Sequence, residues 1–100
     1  MQITEAQNGQ TVRLALNDTA DVTLAENPST GYTWALQASV GPTLEMIGTN
    51  YVPDSPGTVG GGGKRTWTFK AVQPGTKAVL LTNNAPSGLP MKDFSVNIQV

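Results

Sequence analysis

The chain has 100 residues, a net charge of −1, six Lys or Arg, and neither His nor Cys. A chain of this size forms one core and buries roughly two-thirds of its unfolded surface. The missing residue types exclude the usual neutral-pH base, a thiol nucleophile, disulfides and thiolate metal sites, and the charge leaves no basic footprint for nucleic acid or an anionic membrane.

The start, Met1-Gln2-Ile3-Thr4-Glu5, lacks the apolar core of a signal peptide. If a leader precedes these residues in the precursor, a secreted or periplasmic location is expected. After a turn at Asn8-Gly9, Val12, Leu14 and Leu16 alternate with Arg13 and Ala15, predicting a strand with those three residues inward. A second turn at Asn17-Asp18 leads into a strand in which Val22 and Leu24 face inward between Asp21, Thr23 and Ala25. Asp18, Asp21 and Glu26 read as solvated strand-end charges.

Asn27-Pro28-Ser29-Thr30-Gly31-Tyr32 is an uncharged turn followed by Trp34. Pro28 fixes its own φ and biases Asn27 toward extended geometry. Gly31 permits a positive φ, and Ser29 and Thr30 can hydrogen-bond back onto the loop. Tyr32 and Trp34, two apart, are expected on one strand face, anchoring the loop to the core. A rigid, narrow projection suits entry into a slot in another protein; the plain alternative is a connecting turn.

Further along, Gly41-Pro42 marks a turn, and Val52-Pro53-Asp54-Ser55 leads through Thr58-Val59 into Gly60-Gly61-Gly62-Gly63. Successive glycines allow close backbone approach to a partner. A flexible linker is the second reading. A phosphate cradle ranks third, because Lys64 is followed by Arg65 rather than Ser or Thr. Lys64-Arg65 reads as a solvated strand start. Trp67, Phe69 and Ala71 then alternate with Thr66, Thr68 and Lys70, and Pro74-Gly75 turns the chain into Val79-Leu80-Leu81, a short continuous run fitting a central strand. The segment Asn83 to Pro90 reads as the last turn, and Phe94, Val96, Ile98 and Val100 form the closing inward row.

Eleven Gly and seven Pro falling between these runs favour short strands over helices. The expected fold is all-β, an immunoglobulin-like antiparallel sandwich of seven or eight strands forming one domain over residues 1–100. Alternate loops of such a sandwich gather at one end, so those at 27–32, 53–63 and 83–90 are expected to form one edge. No Ser lies in a recognisable nucleophile setting and no acidic cluster suits calcium. The chain therefore reads as a non-enzyme without cofactor or metal, acting as a monomer.

Asn27 to Tyr32 with Trp34 closely resembles the first binding loop of the chagasin family, inhibitors of papain-like cysteine peptidases, whose signature there is Asn-Pro-x-Thr-Gly followed by an aromatic. The glycines Gly60 to Gly63 match the Gly-x-Gly-Gly of the family's second loop, and Phe69-Lys70-Ala71 with Pro74-Gly75-Thr76 resembles its linker toward the penultimate strand. In the third loop, where the family has Arg-Pro-aromatic, this chain has Ala85-Pro86-Ser87, so only Pro86 is kept. The resemblance implies a non-covalent inhibitor whose partner is a papain-like cysteine peptidase. Asn27, Pro28, Ser29, Thr30, Gly31 and Tyr32 would enter the cleft, Gly60, Gly61, Gly62 and Gly63 would line one wall, and Asn84, Ala85, Pro86 and Ser87 would cover the other. The altered third loop implies weakened or retuned binding. It also favours the alternative of an adhesion or recognition module with a non-peptidase partner; a purely structural module is the third option.

Overall fold

The computed structural model describes residues 1–27, 30–37, 41–53 and 62–100. Eight strands follow one another: β1 (Gln2–Ile3), β2 (Thr11–Arg13), β3 (Thr19–Glu26), β4 (Thr33–Leu36), β5 (Leu44–Pro53), β6 (Gly63–Ala71), β7 (Thr76–Asn84) and β8 (Pro90–Gln99). They form two four-stranded sheets, ordered β1-β3-β6-β5 and β2-β8-β7-β4. The sheets share one buried apolar cluster, so the architecture is a β-sandwich.

Period-two patterning builds this core. Ala20, Val22 and Leu24 of β3 oppose Phe69, Trp67 and Arg65 of β6 across the first sheet. In the second, Val79 and Leu81 of β7 lie opposite Val96 and Phe94 of β8. All of these apolar residues are buried, and alternation delivers them to one face because successive side chains of a strand point to opposite sides.

The sheets are mixed rather than antiparallel. β1 pairs in parallel with β3, and β2 in parallel with β8. The reason is a crossing of the N-terminal chain from one sheet to the other through the 3₁₀ turn Glu5–Gln7, which Thr4 and Gln7 close as a reciprocal capping box. Parallel neighbours cannot be joined by a tight hairpin: β2 of the opposite sheet intervenes between β1 and β3, and strands of both sheets intervene between β2 and β8. Gly9, at φ 78°, donates its N–H to the Ser95 carbonyl at 2.7 Å, and Asn8 Oδ1 accepts from Ser95 N–H at 3.0 Å. The crossing is thereby pinned to β8.

Leu16 departs from the expected inward row. β2 ends at Arg13, Leu14 is buried, and Leu16 is 48% exposed in the turn that Asn17 makes with a φ of 72°. The strand period ends at Arg13, and Leu16 is carried outward in the turn that the left-handed residue at position 17 completes.

Register brings three of the connections to one end. Glu26, Gly63 and Pro53 are aligned across β3, β6 and β5, and Thr33, Asn84 and Pro90 are aligned across β4, β7 and β8. The β3–β4, β5–β6 and β7–β8 connections therefore leave the same end of the sandwich. The other long edge, β5, carries a bulge between Met46 and Gly48. That bulge bends the strand and interrupts its row of free backbone groups.

Leu81 is fully buried between the sheets. Leu81→Ala is expected to lower the unfolding free energy by about 2–5 kcal/mol, read from urea denaturation with an unchanged m-value.

Candidate functional site

The inward rows of the core change character at the loop end. Continuing β3 past Ala20, Val22 and Leu24 places Glu26 inward, and its side chain is 1% exposed. Such a carboxylate is stable only when its oxygens are hydrogen-bonded and its charge is paired. Both conditions hold. Oε1 accepts from Arg65 Nε at 2.8 Å, and Oε2 accepts from the Trp34 backbone N–H at 2.9 Å. The Trp34 indole Nε1 donates in turn to the Ala25 carbonyl at 2.9 Å. Arg65 lies over the Tyr51 ring, 5.4 Å from its centroid, in the range of a cation–π contact. The Val52 carbonyl, and behind it the Tyr51 ring, fill the space where a side chain at Gly63 would stand. Glycine is required at position 63 by this close approach.

Glu26 and Arg65 are thus corrected from solvated charges to a structural pair. The alternation that places Val22 and Leu24 inward also places Glu26 inward, so period two was the signal that could have identified it. Tyr51 joins the same cap of the core, as does Asn83, which is corrected from a turn residue to a buried position of β7.

The first loop springs directly from this cap. Thr30 donates its hydroxyl to the Asn27 carbonyl at 2.7 Å and its N–H to the same oxygen at 3.2 Å. Tyr32 N–H donates to Thr30 Oγ1 at 3.4 Å. Thr30 therefore stiffens the turn as expected. Gly31 has φ 79°, and a Cβ on it would lie 2.6 Å from Pro86 Cγ. The first loop and the third hairpin are in contact here. Trp34 packs against the core as expected, whereas Tyr32 precedes β4 and is 37% exposed. Tyr32 is a surface aromatic and not a core anchor, because the strand period begins only at Thr33.

Gly62 faces the Glu26 carbonyl and the Asn27 side chain, and Gly63 is the first residue of β6 rather than a loop residue. Asn84 likewise ends β7, so the hairpin proper runs from Ala85 to Leu89. Ala85 N–H donates to the Leu89 carbonyl, and Gly88 N–H donates to the Ala85 carbonyl, both at 2.8 Å. Pro86 and Ser87 are exposed at its tip. Pro28, Ser29, Gly60 and Gly61 lie outside the described residues. Between the first loop and the hairpin opens a cavity of about 340 Å³, lined by residues that include Asn27, Thr30, Tyr32, Gly62, Asn83 and Met91. Among the described residues no group of three or more His, Cys, Asp or Glu is placed to hold a metal ion.

The family model described as Chagasin family peptidase inhibitor I42 matches residues 13–100. The chain belongs to this family. Its members are inhibitors rather than enzymes. The chain is similar to chagasin of Trypanosoma cruzi, with 28% identity over 96 residues that cover 92% of this chain and 87% of the relative. It is also similar to Amoebiasin-1 of Entamoeba histolytica, at 28% identity over all of this chain and 97% of the relative. The crystal structure of the cysteine protease inhibitor EhICP2 from Entamoeba histolytica superposes with a TM-score of 0.85 at 25% identity, covering 99% of this chain and 93% of that one. The chagasin-family fold thus extends over the N-terminal crossing as well as the loop end.

Two substitutions test this frame. Glu26→Ala deprives the Trp34 N–H and Arg65 of their acceptor; with Arg65 partly in water, about 2 kcal/mol of stability is expected to be lost, measurable by denaturant unfolding. Gly31→Ala forces a side chain into the left-handed region and against Pro86. A loss of about 1–2 kcal/mol is expected, with chemical-shift changes spreading from the first loop into the hairpin.

Proposed function

We propose that this chagasin-family protein is a reversible, non-covalent inhibitor of papain-like cysteine peptidases, occluding the catalytic cleft with the loops of one sandwich end. The observation that carries this reading is the contact of Gly31 with Pro86 beside the approach of Gly62 to Asn27. It supports reading as one continuous edge the three segments that the family resemblance assigns to peptidase binding. The likeness to a cysteine protease inhibitor of known structure supports the class of enzyme.

In this mechanism Asn27, Pro28, Ser29, Thr30, Gly31 and Tyr32 form the wedge that enters the cleft between the catalytic cysteine and histidine. Thr30 holds the wedge in its turn through the Asn27 carbonyl, so no extended peptide bond is offered for attack. Gly60, Gly61, Gly62 and Gly63 lie along one wall by backbone contact. Asn84, Ala85, Pro86 and Ser87 face the other wall. A loop pinned before binding loses little entropy on binding, which supports affinity without large side chains. Occlusion also requires no catalytic group, in keeping with a chain devoid of His and Cys. Family membership favours this reading over an adhesion module.

The third hairpin sets the expected strength. Arg and aromatic residues are frequent interface anchors, each contributing on the order of 2 kcal/mol on truncation. Their replacement by Ala85 and Ser87 points to weaker or redirected binding at that wall.

The test is titration of papain and a cathepsin L-like enzyme with the protein while following substrate hydrolysis. Reversible inhibition without cleavage of the inhibitor is expected. Thr30→Arg places a bulky charge at the wedge and is expected to weaken inhibition by about a hundredfold or more with the fold retained by circular dichroism. Undiminished inhibition by Thr30→Arg would remove the wedge from the mechanism.

A further inference from the structure

We propose that the cavity between the first loop and the C-terminal hairpin is a receptor pocket. It takes one side chain of the bound peptidase, with an apolar body and a neutral hydrogen-bond-donating tip, and pairs that tip with Asn83. This inference rests on the inhibitory function proposed above.

Two inward rows of the core end in polar residues at the loop end, and their fates differ. Glu26, at the end of the β3 row, has both carboxylate oxygens bonded. Asn83 continues the β7 row after Val79 and Leu81 and is only 9% exposed. Its Oδ1 is buried and has no hydrogen-bond partner among the described residues. Orphaned buried carbonyl groups are rare, because desolvation without a partner is unfavourable. An apolar residue would satisfy the packing of this row without that penalty. The amide is therefore suited to a partner that arrives from outside, which Oδ1 meets once the Asn83 side chain turns into the cavity that it lines.

The surroundings define that partner. Asn83 lines the cavity together with Tyr32, Thr30, Met91 and Lys92. At about 340 Å³ the space lies within the range of small-ligand pockets and exceeds what a single water needs. Tyr32 supplies an aromatic wall, and Met91, 57% exposed, an adaptable one. Arg65 already neutralises the Glu26 carboxylate in the cavity wall, so no free negative charge is left there to attract a cation. The Lys92 ammonium disfavours Lys or Arg as the guest. A carboxamide, hydroxyl or indole on an apolar stem fits the remaining requirements. The guest belongs to the peptidase because Thr30 and Tyr32 form both the wedge and one wall of the cavity. Any surface that the wedge enters is brought against the mouth of the pocket.

The test compares wild type, Asn83→Leu and Met91→Ala, measuring for each the inhibition constant against a papain-like peptidase that wild type inhibits and the thermal midpoint of the free protein. Asn83→Leu is expected to weaken inhibition about tenfold while the midpoint stays the same or rises, since the free protein loses an unpaired amide. Met91→Ala, at an exposed position, is expected to weaken inhibition several-fold with no change in midpoint. A stability gain accompanied by an affinity loss is not produced by a merely structural residue. Unchanged inhibition constants for both variants would overturn the pocket while leaving the wedge intact. If Asn83→Leu fails to fold, the inhibition constant of Met91→Ala decides. Wild-type protein that inhibits no papain-like peptidase would overturn both the pocket and the function on which it rests.

Discussion

A carboxylate held out of water at the end of the core governs the functional end of this protein. Glu26 belongs to one sheet, and its two oxygens are claimed by Arg65 of the same sheet and by a backbone N–H of the other. Neither partner suffices alone: the guanidinium offsets the charge, while the Trp34 amide fills the second oxygen and joins the layers. The result is a tie between sheets at the level where the chain leaves β3 for the first loop. Tyr51 lies against the same guanidinium, and its ring and the neighbouring Val52 carbonyl leave room only for glycine at position 63. The roots of the β3–β4 and β5–β6 connections thereby share one set of contacts.

That arrangement explains how short, small-residue loops can act as a recognition surface. The described part of the first loop rests on the Asn27 carbonyl, which accepts twice from Thr30, and on the packing of Gly31 against Pro86. Its geometry is set before any partner arrives. Affinity built on preorganisation loses less to ordering than affinity built on long side chains. The exposed hairpin residues Leu89 and Met91 add apolar surface close to positions 85 and 87, which lack the large anchors found in the family.

Much of this was legible in the sequence because strand periodicity is a local signal. The rows around Val22, Trp67 and Phe94 could be read directly, and Asn27 to Gly31 announced a turn through Pro28 and Gly31. What escaped was pairing and context. Nothing local to Gln2–Ile3 or Thr11–Arg13 reveals that each lies parallel to a strand distant in sequence. Leu16 was misplaced because alternation continues on paper beyond Arg13, where β2 ends and the chain enters the turn at Asn17. Glu26 was assigned to solvent by its charge, although its parity placed it inside. Position outranked residue type there, because a partner for the charge came from β6, 39 residues further along. Asn83 was taken for a turn residue on composition, whereas its register with Trp34 and Lys92 makes it part of two ladders.

The sheet borders carry a consequence of their own. Three of the four outer strands are β1, β2 and β4, with two, three and four residues. The fourth, β5, is longer but interrupted by its bulge. Extended peptides commonly dock by adding themselves as a strand to another chain, and a cleft that holds its substrate stretched out exploits the same backbone pairing. A sandwich whose rims are this short, or broken by a bulge, offers such a cleft little regular edge to pair with. For a member of a peptidase-inhibitor family, short and broken borders limit the extended backbone that a peptidase cleft could pair with.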